Sequence, residues 1–160
     1  MILSEPITIA SGHIAALSYS LKDGLVSSTV TVRSVLTPEL AASLGCQEML
    51  FLDDGTPKDG FAKLELDTCC EQYRAEFRCT DPEIKQEFTI EGQACDRFCV
   101  TRTDSNVFDI RFRLHHTTNL HGPLAFVEQT GVAPILVRLV PKQGQLFHTD
   151  NDGQRDRPDR

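Results

Sequence analysis

The chain has no tryptophan, only two tyrosines and only two methionines. It is therefore poor in the side chains that most often anchor protein interfaces, so an interface would lean on arginine, phenylalanine or a sheet edge. Long apolar runs are missing as well: no segment approaches the roughly 20 apolar residues of a membrane-spanning helix, so no membrane partner is expected. The first residues carry neither the basic stretch nor the apolar stretch of a secretory leader, which predicts a cytoplasmic protein. Positive charge is in deficit. Sixteen Lys and Arg stand against 23 Asp and Glu, and the net charge of −7 disfavours long-range attraction to nucleic acid or an anionic surface.

Catalytic signatures are scarce too. There is no Gly-x-Ser-x-Gly elbow. Residues 55–60 lack the spacing of a phosphate-cradling loop, and Pro57 removes an amide donor. Asp150-Asn151-Asp152-Gly153 has neither the ligand ladder nor the closing glutamate of a calcium loop. Six cysteines (Cys46, Cys69, Cys70, Cys79, Cys95 and Cys99) are many for 160 residues, and without a leader they are expected as reduced, small packing residues. On one extended strand Cys95 and Cys99 would stand about 13 Å apart. Adjacent Cys69 and Cys70 would point to opposite faces. The spacing thus predicts no metal site and no cofactor.

What is present is alternation. Between residues 61 and 116 apolar residues recur at every second position in five runs separated by turn-like residues. Ala62, Leu64 and Leu66 open the series; Tyr73, Ala75, Phe77 and Cys79 follow, then Ile84, Gln86, Phe88 and Ile90. Phe98 and Val100, and finally Phe108, Ile110, Phe112 and Leu114, complete it. The pattern predicts a mainly β (α+β) fold, an antiparallel meander of about five strands with one packed and one wet face. Two registers of the second and third runs satisfy their charges. One sets Arg78 against Glu83, Glu76 against Lys85 and Arg74 against Glu87; the other sets Arg78 against Glu87 and Arg74 against Glu91.

Upstream, residues 7–21 and 26–36 read as two strands joined by a turn at Lys22-Asp23-Gly24. Residues 37–45 read as a helix capped by Thr37, with Pro38 in its first turn, Gly45 at its stop and Leu40, Ala41 and Leu44 buried. A strand is expected at 49–52, a short helix at 123–129, a buried strand at 135–140 and an edge strand at 145–148. The aromatic inner face of the meander needs cover, so the N-terminal strands are expected to form a second sheet over it; one large curved sheet is the alternative. Residues 1–148 are expected as a single β-rich domain and 149–160 as a flexible polar tail.

The outward face of the meander from Arg74 onward carries Arg74, Arg78, Lys85, Arg97, Arg111 and Arg113. Against these six stand Glu76, Glu87, Glu91 and Asp109, a surplus of two positive charges. With no catalytic constellation in view, the first functional expectation is a non-catalytic interaction protein: an inhibitor, adaptor or accessory subunit of bacterial or viral type. It would bind a protein partner, or a second copy as a homodimer, through this charged face or a strand edge. A single-stranded nucleic-acid-binding or recombination accessory protein is the alternative, if the arginines line one continuous groove. A metal-dependent enzyme built on His115, His116 and His121 is a second alternative, and it requires those side chains to converge.

Overall fold

The computed structural model describes residues 1–116 and 121–142; the strand expected at 145–148 and the tail at 149–160 lie outside these. The elements run β1 (Ile7–Lys22), β2 (Leu25–Val35), α1 (Pro38–Ser43), α2 (Gln47–Leu50), β3 (Lys63–Glu65) and β4 (Tyr73–Cys79). They continue as β5 (Glu87–Gly92), β6 (Ala94–Arg102), β7 (Phe108–His116), α3 (His121–Thr130) and β8 (Ile135–Pro141). The fold is mainly β, and every ladder is antiparallel.

Local chemistry places most boundaries. Asp23 and Gly24 both have positive φ (53° and 77°), the two-residue turn whose twist matches the strands it joins, and it sets Lys22 against Leu25. The Thr37 hydroxyl accepts a hydrogen bond from the Leu40 amide at 3.1 Å, and Pro38 occupies the first turn of α1. Residues 49–52 are not the expected strand. Cys46 and Leu50, both buried, are four apart and share one face of a helical turn, and the Leu50 amide donates to the Cys46 carbonyl at 3.2 Å.

The meander is also divided. All eight strands form one sheet in the order β3-β6-β7-β2-β1-β8-β4-β5, so the β1–β2 hairpin and β8 lie between the two halves of the expected meander. The local hairpins β4–β5 and β6–β7 do form; β3 pairs with β6, and no ladder joins β3 to β4 or β5 to β6. Of the two charge-compatible registers, the one setting Arg78 against Glu87 and Arg74 against Glu91 is adopted, and Phe77 meets Phe88. The second sheet expected over the aromatic face is replaced by curvature of this single one.

That curvature can be measured. β4 and β7 are four places apart in the sheet, about 19 Å if it were flat. Yet the buried Tyr73 hydroxyl donates to the His115 carbonyl at 2.9 Å. β5, at one end, passes through Gln93 into β6, next to the other end, and Gln93 also donates to the His115 carbonyl, at 3.2 Å. Cys70 and Cys95 exchange both backbone hydrogen bonds, at 2.9 and 2.8 Å. The sheet has curled until its ends meet, and the enclosed core includes Val30, Val32, Phe98, Phe112, Leu114, Val137 and Leu139. Phe98 stacks on Phe112 at 4.9 Å and Phe77 on Phe88 at 4.3 Å; Phe126 of α3 sets its ring edgewise against the second pair.

Gly92 sits where the ends join. A Cβ there would overlap both the Tyr73 phenol and the His115 carbonyl. Gly92→Ala is expected to cost at least about 1–3 kcal/mol by overpacking. Tyr73→Phe, which loses only the hydrogen bond, is expected to cost about 1 kcal/mol. Urea unfolding of the two variants checks the order; an Ala variant as stable as the parent would show that the ends do not meet there.

Candidate functional site

The outward basic residues fall into two groups. Arg74 and Arg78 project from β4, with Arg138 of β8 alongside, and carboxylates answer all three: Arg74 with Glu76 at 3.3 Å, Arg138 with the same Glu76 at 3.4 Å, and Arg78 with Glu87 at 3.7 Å. Lys85 is exposed in the loop before β5 and has no ion pair among the described residues. The other group stands on β6 and β7: Arg97, Arg111 and Arg113, with Arg33 of β2 directly opposite Arg111. Between the groups runs β1, whose residues 7–21 include no Lys or Arg. The six residues therefore do not line one continuous groove.

A β-bulge shapes the second group. Asp96 faces Arg113 and Cys99 faces Arg111, so Arg97 and Phe98 together oppose the single residue Phe112. Arg97 takes φ 60°. The other non-glycine residues with positive φ among those described are Asp23 and Asn106, types that tolerate this conformation; arginine gains no such local relief, and the strain is about 1–3 kcal/mol. The bulge opens a recess of about 490 Å³, lined by the three arginines with Thr31, Cys69 and Cys99 among others. Three carboxylates also line it: Glu65 is paired with Lys63 at 3.5 Å, Asp96 is hydrogen-bonded to the His115 imidazole at 2.8 Å, and Asp67 has no ion pair among the described residues. Among the described residues Arg97, Arg111 and Arg113 have no ion pair and no side-chain hydrogen bond. Alternation placed these arginines outward; the recess depends on a bulge and a register that pattern does not encode.

The histidines do not converge as a metal-dependent enzyme would need. His115 and His116 point to opposite faces of β7, and His121 begins α3. The outer-face imidazole of His115 joins three strands: its Nε2 is bonded to the Asp96 carboxylate on β6 and its Nδ1 to the Thr29 hydroxyl on β2, at 3.1 Å. His116 is buried, and burial, with His115 next to it, holds its pKa below the usual imidazole value. Among the described residues no three His, Cys, Asp or Glu are grouped closely enough to hold a metal ion. No helix among them is long and apolar enough to cross a membrane.

A third surface was not singled out by charge. β8 pairs with β1 only as far as Gly12, and β7 pairs with β2 only from Ser28 onward. Past those points β1 and β2 continue together as an arm, and among the described residues no strand other than β2 lies beside β1 beyond Gly12. Leu17, Tyr19 and Leu21 share one face with Val26, as their registers with Val30, Ser28 and Val26 require. Leu17 packs against the core, whereas Tyr19 and Leu21 are each 70% exposed and Val26 is 42% exposed. Comparison with known proteins gives no matching family model, no matching curated protein and no matching solved structure.

Two outcomes follow from these environments. A histidine with a depressed folded pKa contributes stability above its unfolded value, and this is lost as pH falls through about 6.5 toward the folded value. Thermal unfolding between about pH 8 and 5 should therefore show a decline that is smaller in His116→Gln; an equal decline would assign it elsewhere. Burial raises the thiol pKa of Cys46, Cys70 and Cys95, whereas Cys69 and Cys99 are half-buried at the recess. Native-state alkylation read by mass spectrometry should label Cys69 and Cys99 first, and Cys46, Cys70, Cys79 and Cys95 only on unfolding.

Proposed function

We propose that this chain is a non-catalytic interaction protein that takes a protein partner along the β1–β2 arm. One observation carries the reading: β1 runs on past its last residue paired with β8, Gly12, with its edge unpaired among the described residues and its apolar face exposed at Tyr19 and Leu21. An open edge offers backbone donors and acceptors to an added strand, and the apolar face beside it offers pockets or ridges for that strand's side chains. Between Ile14 and Leu21 there is no charge, proline or glycine to discourage pairing. Tyr19 supplies the aromatic anchor in which the composition is otherwise poor. A monomer seldom leaves such an element uncovered.

The test is capture with tagged protein from nuclease-treated lysate of its own cell, parent against the double variant Tyr19→Lys, Leu21→Lys. Both positions are exposed, so stability should change by no more than about 0.5 kcal/mol each. One protein recovered in stoichiometric amount by the parent and lost by the variant is the expected outcome. A parent dimer in sedimentation that the variant converts to monomer would identify the partner as a second copy. Recovery that ignores the variant, or that disappears with nuclease, would overturn the reading, the latter in favour of nucleic acid.

A further inference from the structure

We infer that the recess at the β6 bulge is a binding site for the phosphate group of a small molecule. Arg111 and Arg113 are two apart on β7 and so share its outer face, about 7 Å from each other along the strand. Arg97 enters from the neighbouring strand opposite the residue between them. Three arginines thus line one recess from two strands. A tetrahedral group with oxygens in several directions can engage all of them, while a planar carboxylate is satisfied by one fork.

The charges around the recess need such a guest. Arg33 is spoken for by Asp109 at 3.9 Å, yet it lies directly across from Arg111, and like charges in that position oppose pairing of their strands. The three recess arginines face two carboxylates that no Lys or Arg answers, Asp67 and the His115-bonded Asp96, and make no ion pair with either, whereas on the far side of β1 Arg74, Arg78 and Arg138 each have a carboxylate within 3.7 Å. The same sheet therefore carries one arginine cluster held in ion pairs and one whose arginines have none among the described residues. Arg97 stands in a backbone conformation suited to glycine, so its side chain reaches the recess at the expense of the local backbone. The recess volume suits a small ligand, with the half-buried Leu66 available to its apolar part and the Thr31 hydroxyl to its polar part. This inference stands apart from the arm and does not depend on it.

Isothermal titration with inorganic phosphate, pyrophosphate and malonate at constant ionic strength tests it. Saturable one-to-one binding of pyrophosphate is expected, weakened about tenfold or more in Arg111→Ala and in Arg113→Ala and unchanged in Arg74→Ala. Arg97→Gly separates a binding role from a structural one: it should weaken pyrophosphate binding while raising the melting temperature, because the strained backbone is relieved. Absence of saturation, an equal loss in Arg74→Ala, or tighter binding of malonate would overturn the assignment. So would a single-stranded oligonucleotide that binds more tightly the longer it is, which would make the recess part of a nucleic-acid track.

Discussion

The sheet closes over the bare backbone of Gly92, where the Tyr73 hydroxyl donates to the His115 carbonyl and Cys70 pairs with Cys95, and the rest of the molecule depends on that close approach. A flat sheet of eight strands would leave the aromatic face of β6 and β7 in water. Curling brings that face against the inner residues of β4 and β8, and α3 adds Phe126 over the Phe77 and Phe88 rings. The joint is polar, but it is satisfied: the phenol donates, burial keeps it protonated, and the carbonyl also receives the Gln93 amide.

How much of this was legible in the sequence depends on range. Alternation put Phe108, Ile110, Phe112 and Leu114 inside and Arg111 and Arg113 outside, and the structure agrees residue by residue. Turn and cap chemistry located the β1–β2 turn and α1, because Asp23-Gly24 and Thr37-Pro38 act within a few residues of themselves. Partner choice was not legible. The pattern of β3 is satisfied equally by β4 or by β6, and nothing local says that the β1–β2 hairpin enters between β7 and β8. The bulge at Arg97 and Phe98 was equally hidden, since alternation continues across it only if one extra residue is skipped. Arg33 and Arg138 stand on β2 and β8, outside the alternating region 61–116, so their place on the charged face follows only from the sheet order.

The arm and the recess share β2. Thr31 lines the recess, and only a few residues away Ser28 marks the last pairing of β2 with β7 before the arm leaves the body of the protein. Thr29, between them, is bonded to His115, whose other nitrogen is bonded to Asp96 at the bulge. A single strand thus links the arm's root to the arginine-bearing face through side chains that are all hydrogen-bonded.

The position of β1 has a consequence for how the chain reaches its shape. Its hairpin with β2 is local and can form early, but its other ladder waits for β8, with Ile7 pairing to Leu139 across most of the described sequence. Loops of that length close slowly compared with hairpins. During synthesis the β8-facing side of β1 therefore stays bare until the eighth strand has emerged, and for that interval the nascent chain exposes a long template for mispairing. The register shifts that break the β1 ladders near Gly12 and Ile14 interrupt that template at its middle, so the strand is least suited to mispairing where it stays bare longest.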